Sequence, residues 1–424
     1  MTAVVLYFQV HQPFRLRRYT FFDIGRRHDY FDHPENERIL KRVAEKCYLP
    51  MNRVLEDLAR RHEGRFRFAY SVSGTALQQM EAFAPEALES FRRLARTGCV
   101  EFLTETSHHS LAFLKDPAEF RAQVELQAER VEALFGRRPR TFRNTELICS
   151  NAVARTAEDL GYSAILCEGA DHLLGYRSPN YVYRPPSTDK VALLLRNYRL
   201  SDDVAFRFSN RHWSEWPLTA EKFAGWINQV NGNGYIVNLF MDYETLGEHQ
   251  WADTGIFEFL NNLPHEVFKR RDNNFKTPSE IIDTYPISGE YDVPHMISWA
   301  DTERDLSAWL GNAMQSNALH ELYRIEKDVK ATGDPNLIRD WRIMQTSDHF
   351  YYMCVKYFSD GDVHKYFNPY DSPYDSYINF MNALDNLRLR LKHKQRIAKK
   401  IVFPYGRRPR DGIVSRSPSA EHTG

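Results

Sequence analysis

Seven short apolar runs recur along the chain, at residues 4–10, 66–72, 99–103, 141–145, 164–168, 191–197 and 235–241. Each is rich in Val, Ile, Leu, Phe or Tyr and is bounded by polar or turn residues, the pattern of strands buried on both faces. The segments between them carry the helical period. Residues 37–61 put Ile39, Leu40, Val43, Val54, Leu55 and Leu58 on one face, and in 117–135 Pro117 suits a first turn while Gly136 supplies a stop. Alternating strands and helices predict a parallel sheet, open and doubly wound or closed as a barrel. No Gly-rich phosphate loop follows the first run, which counts against a dinucleotide-binding fold.

After Asp253 the chain turns helical, with a loop around 272–293 and then amphipathic stretches at 305–325, 336–357 and 373–401. These predict a helical bundle beside the sheet domain. The last residues, 404–424, are polar and basic with few apolar positions, and predict a disordered tail. The expected division is therefore 1–300, 301–403 and 404–424.

Each apolar run ends in a polar cluster. These are His11-Gln12-Pro13, Ser71-Val72-Ser73-Gly74, Glu105 to His109, Arg143 to Glu146, Glu168, Arg196-Asn197 and Asp242-Tyr243-Glu244. Parallel strands bring all their C-terminal ends to one rim, so the clusters can converge there, as in barrel enzymes.

Bulk composition narrows the partners. Lys+Arg and Asp+Glu are equal at 56 each, so no nucleic-acid or acidic-membrane surface is indicated. The five cysteines show no CxxC spacing and fit reduced buried thiols. The N-terminus reads as a strand and not a signal peptide, and no run is long enough to span a bilayer, so a cytoplasmic protein is expected.

Cleaving a glycosidic bond takes two carboxyl groups on opposite sides of the bond, and the strongest pair here is Glu146 and Asp242, each emerging from an apolar run. Taken singly, either one reads as a helix cap or half of an ion pair. His108-His109 and His28-Asp29 with Asp32-His33 offer metal-ligand types, but neither spacing matches a strong metal signature. Arg143, Glu105, and Asp202-Asp203 with Arg207 rank as residues behind the rim, and Trp213, Trp216, Trp251, Trp299 and Trp309 divide between core packing and stacking platforms.

Four segments in order resemble glycoside hydrolase family 57, its α-amylase-like group most closely: His11-Gln12-Pro13; Phe142 to Glu146; Met241 to His249; and Ser298 to Asp301 with Ser307 to Asn312. The resemblance covers about residues 1–400. It implies an α/β fold, an incomplete seven-stranded (β/α) barrel followed by a C-terminal α-helical bundle that completes the groove. It also implies a retaining, α-amylase-like enzyme acting on α-1,4-glucan with no cofactor and no metal, Glu146 matching the nucleophile and Asp242 the acid/base. His11 matches a sugar-binding histidine and Glu244 a second carboxylate two residues after the acid/base. From rim clusters and motifs together, the substrate-binding candidates are His11, Gln12, His108, His109, Arg143, Glu244, His249, Asp301 and Trp309. His108-His109 departs from the family's glucanotransferases, which place an aromatic residue and a glutamate there. A 4-α-glucanotransferase or branching enzyme is the nearest alternative. A metal-dependent polysaccharide deacetylase and a non-catalytic glucan-binding protein are alternatives of other classes.

Overall fold

In the computed structural model, which describes residues 2–186, 188–356 and 368–402, the last six as backbone only, the first strand sorts its side chains by parity. β1 (Ala3–Val10) sends Ala3, Val5 and Tyr7 into one apolar cluster and Val4, Leu6, Phe8 and Val10 into another, the period-2 alternation of extended chain. The first cluster also takes Ala69, Leu103, Leu166, Leu194, Ile236 and Phe240 and is the barrel interior. The second takes Leu40, Leu55, Leu77 and Phe91 from helices and is the layer between strands and helices. Burial on both faces is why the strands read as apolar runs and not as alternating ones.

The further strands are β2 (Phe68–Val72), β3 (Val100–Phe102), β4 (Thr141–Phe142), β5 (Ala164–Glu168), β6 (Val182–Arg184), β7 (Ala192–Arg196), β8 (Ile236–Asp242), β9 (Asn274–Phe275) and β10 (Ile287–Glu290). One sheet runs β3-β2-β1-β8, with β9 also on β1, and the other β10-β6-β7-β5-β4. The seven predicted runs become β1 to β5, β7 and β8, and the ladders among these are parallel. Where the two sheets meet, contacts replace ladders. At one seam Thr104 bridges Phe142, with the Arg143 N–H donating to the Thr104 carbonyl at 2.9 Å. At the other, the Asn197 N–H donates to the Asn238 carbonyl at 2.9 Å and the Asn238 amide donates to the Leu195 carbonyl at 2.8 Å. The barrel is thus seven-stranded and incomplete. β6, β9 and β10 were not anticipated.

Continuing the same parity by one step reaches the rim. Beyond Tyr7 comes Gln9, which lies in register with Ser71 on β2 and Asp242 on β8. Glu105, Arg143, Glu168 and Arg196 follow their strands in the same way and are buried. An apolar plug therefore carries a polar layer on its C-terminal side.

Beyond the barrel, helices pack around Trp309, Leu319, Trp341, Phe350 and Leu384, and the loop after β1 joins this core through Phe14, Leu16, Tyr19, Tyr30 and Phe31. The predicted stretch 336–357 is not one helix. Pro335–Ile343 ends, and the chain restarts at Ser347–Tyr351, because the third-strand loop takes the backbone between them: the Thr346 hydroxyl donates to the His108 carbonyl and the Ser347 N–H to the His109 carbonyl, both at 2.9 Å. Likewise 305–325 splits at Asn312, whose side chain caps Ala313–Arg324. The 37–61 helix begins at His33 and contains a π turn, Ala44–Tyr48. Residues 404–424, the predicted tail, lie outside the described residues. Among the described residues no helix is long and apolar enough to cross a membrane.

Candidate active site

Glu146 owes its direction to its backbone. It follows β4 with φ 56°, and Leu147 with φ 53°, left-handed conformations that cost a non-glycine residue roughly 1–3 kcal/mol unless the surroundings impose them. Here they do. The Asn144 amide donates to the Ile148 carbonyl at 3.0 Å, the Leu147 N–H to the Asn144 carbonyl at 3.0 Å, and the Trp299 N–H to the Glu146 carbonyl at 3.4 Å. The carboxylate then meets three groups from three parts of the chain. The Trp299 indole N–H donates to Oε2 at 3.1 Å, the Ser347 hydroxyl donates to Oε1 at 3.1 Å, and His109 Nε2 stands 3.4 Å from Oε1.

His109 is held from behind by Glu105, whose Oε2 meets its Nδ1. Burial pulls His109 down, but Glu105 and then Glu146 outweigh it and raise the ring to about 9. The His11 ring stacks on His109 with centroids 3.9 Å apart. Burial, reinforced by the charge on His109, lowers His11 from its ordinary value. Its Nε2 lies 2.8 Å from Asp348 and its Nδ1 2.7 Å from the Ser73 hydroxyl. Against the upward push of burial, the His11 ring and its hydrogen bond hold Asp348 well below the carboxylate range. A neutral His11 therefore donates from Nε2 to Asp348 and accepts from Ser73 at Nδ1.

Asp242 closes β8, beside Gln9. Two residues on, Glu244 is buried, with Tyr48 hydroxyl and, at 3.4 Å, the Gln12 amide donating to its Oε1. Burial first, and then the charge of Asp242, push it up to about 8, so it is a neutral acid at neutral pH. The loop carrying these groups is fastened to the π turn. Fully buried Glu248 lies 3.1 Å from Arg42 and 3.9 Å from Lys46, and the Cys47 thiol donates to the Tyr243 carbonyl at 3.1 Å. Gly247 has φ 117°, and a Cβ there would stand 2.2 Å from the Lys46 carbonyl oxygen.

An open pocket brings together seven of the expected residues: His11, Gln12, His109, Glu146, Asp242, Glu244 and His249. The other four do not line it. His108 turns away into burial, bonded to Ser107 at 2.8 Å; burial and the charge of Arg342 lower it to about 3. Arg143 is fully buried behind the rim, with its guanidinium 4.7 Å from the centre of the Trp299 ring. Trp309, expected as a platform, is fully buried in the helical core against Tyr351, where helix packing needs its volume. Asp301 pairs with Lys356 at 2.8 Å. The pocket adds Gln9, Arg15, Trp299, Asp348 and Tyr352. Of these, Asp348 and Tyr352 were hidden inside a predicted helix; the signal that was available is the capping run Thr346-Ser347-Asp348 in its middle. Asp29 pairs with Arg17, and Asp32 caps the helix His33–Val43. Among the described residues no three His, Cys, Asp or Glu are grouped so that they could hold a metal ion.

Comparison with known proteins identifies the family and the fold. The sequence profile of Glycosyl hydrolase family 57 matches residues 5–294. A curated protein of Methanocaldococcus jannaschii named "Putative alpha-amylase" is 40% identical over 421 residues, covering 96% of this chain and 87% of its own. The crystal structure of a GH57-type branching enzyme from Pyrococcus horikoshii superimposes with a TM-score of 0.66 over 98% of this chain and 99% of that one, at 15% identity. A 4-alpha-glucanotransferase from Thermococcus litoralis does so with a TM-score of 0.62 and 14% identity over 82% of this chain, which spans only 56% of that longer protein. At such identities the two structures speak for the fold. The chain belongs to glycosyl hydrolase family 57 and is a glycoside hydrolase.

Proposed function

We propose that this enzyme hydrolyses α-1,4-glucans with retention of configuration, Glu146 acting as nucleophile and Asp242 as acid/base. The observation that carries the reading is that these two carboxyl groups, from β4 and β8, border one pocket while the groups around Glu146 are donors. In double displacement Glu146 attacks the anomeric carbon as Asp242, drawing on the proton it shares with neighbouring Glu244, protonates the departing oxygen. Asp242 then deprotonates a water that releases the sugar from the ester. Asp348, ionised, and the neutral Glu244 offer an acceptor and a donor for sugar hydroxyls.

Incubation with maltoheptaose, followed by time-resolved NMR of the first products, tests this. The α-anomer appears first, reducing ends rise, and Glu146→Gln and Asp242→Asn each lower kcat by at least about a thousand-fold. A β-anomer appearing first, or turnover surviving Glu146→Gln, overturns the mechanism. Longer and shorter oligomers at constant reducing value assign glucan transfer to the same site instead.

A further inference from the structure

Glu105 is fully buried and does not line the pocket, yet it lies one side chain away from Glu146. Its surroundings fix where protons can sit. The Gln9 carbonyl oxygen accepts two hydroxyls, Tyr7 and Ser71, both at 2.7 Å. The Gln9 amide nitrogen must therefore face the other way, and it donates to Glu105 Oε1 at 2.8 Å. Oε2 is left for His109 Nδ1. An ionised carboxylate only accepts, so Nδ1 carries a hydrogen. The opposite ring nitrogen, Nε2, faces Glu146 Oε1 at 3.4 Å. A lone pair there would oppose a second carboxylate, whereas an N–H attracts it. Both ring nitrogens therefore carry protons, and the ring is an imidazolium between two acids.

From this geometry we propose that Glu105 is a positioning residue for Glu146: through His109 it directs a permanent N–H donor and a positive charge at the nucleophile. The proposal rests on Glu146 being the nucleophile. His109 is the link in contact with the reacting carboxylate, and Glu105 acts only through it. The groups facing this relay are His11 and Asp348 on one side, and on the others the uncharged Tyr7 hydroxyl, Arg143, whose charge acts on Glu105 and on Tyr7, and Asp242, whose charge acts on Tyr7. Burial lifts Glu105, but His109 and Arg143 outweigh it and hold it below its ordinary value, consistent with an anion that orders the ring. Arg143 supports the second donor too, because its guanidinium lies against the ring of Trp299, whose indole N–H reaches Oε2. Its three guanidinium nitrogens have no hydrogen-bond partner among the described residues, which leaves its charge to act on the ring and on Glu105 at a distance.

The test compares pH profiles of kcat/KM on maltoheptaose for the wild type, Glu105→Gln, Glu105→Asp and His109→Gln. Glu105→Gln, at nearly constant shape, removes the anion that keeps His109 protonated, and His109→Gln removes the cation itself, so in both the acid limb moves to higher pH by about one to three units, the usual effect of losing a neighbouring opposite charge. Glu105→Asp keeps the charge, and its limb returns towards the wild-type position. A limb that stays in place while the rate falls overturns the proposal, since loss of packing alone lowers rate without moving ionisation. Should Glu105→Gln not fold, nitrogen NMR of labelled histidine in the wild-type enzyme decides. Two N–H signals from His109 at neutral pH support the relay, and a neutral ring overturns it. Azide rescue of Glu146→Ala, giving the β-glycosyl azide, is run in parallel. If rescue fails, the nucleophile assignment is at fault; if it succeeds and the limb is unmoved, the role of Glu105 is.

Discussion

Replacing Glu244 by Gln should change how stability depends on pH more than it changes stability itself. Burial and the charge of Asp242 lift this carboxyl from 4.5 to about 8. A group raised in this way contributes stability while it is protonated. The contribution is complete below pH 4.5 and is lost as pH rises to about 8, because the unfolded chain ionises freely and the folded protein does not. At 1.36 kcal/mol per pH unit the loss is about 5 kcal/mol in all, of which about 3–4 kcal/mol falls between pH 5 and pH 8. Glutamine has the same shape, stays neutral throughout, and its carbonyl oxygen can still accept from Tyr48. Urea unfolding at pH 5, 6.5 and 8 gives the comparison, and the other titrating groups, His109 among them, are common to both proteins. The stability of the variant relative to wild type should rise by about 3–4 kcal/mol between pH 5 and pH 8. Asp242→Asn, which removes the second cause, should shrink that rise. A gap that is constant with pH within about 1 kcal/mol would mean that Glu244 is already ionised in the folded enzyme, and would refute the reasoning.

Other substitutions probe the supports of the pocket. Trp299→Phe keeps a ring against Arg143 but deletes the N–H donated to Glu146, so kcat should fall about 10- to 100-fold with the melting temperature nearly unchanged, measured by initial rates and calorimetry. Gly247→Ala puts a methyl against the Lys46 carbonyl at a φ that alanine resists; activity should drop and stability fall by about 2 kcal/mol or more in urea titrations. Arg42→Ala leaves buried Glu248 with Lys46 alone at 3.9 Å and should cost on the order of 3 kcal/mol, with protease cleavage of the 242–255 loop accelerated.

The residues that could be found from the sequence are those that continue a strand. His11 and Asp242 stand two residues beyond Gln9 and Phe240, so the alternation that fills the barrel also aims them at the pocket, while Glu244 reaches it from the turn Tyr243–Thr245 that follows the strand. Glu146 was found through its strand and motif, although its own backbone breaks the alternation with a left-handed turn that local propensity does not signal. Ser347, Asp348 and Tyr352 were missed for a tertiary reason. Helical periodicity runs through 336–357, and the capping run at 346–348 becomes a break only with the bonds to the His108 and His109 carbonyls, which turn those residues inward. Trp309 was misplaced because a motif position says nothing about which way an indole faces. Trp299, one of five tryptophans that the sequence left undivided, reaches the carboxylate.

Two ion clusters share the polar layer at the rim, and their composition separates scaffold from site. Glu168 and Asp202 are met by Arg196 and Arg304, with separations from 2.5 to 3.8 Å, so two acids are matched by two guanidinium groups. A cluster balanced in charge serves to hold β5, β7 and the 299–304 turn together. The Glu105, His109, Glu146 series is open. Its cation lies between two acids, Arg143 balances it only from behind the tryptophan ring, and its last carboxylate faces the pocket. Desolvating a carboxylate whose neighbouring cation is shared with a second acid is unfavourable for a scaffold. It is tolerable where the carboxylate must be able to give up its charge, as Glu146 would in the glycosyl ester proposed above, while Glu105 and His109 remain paired behind it.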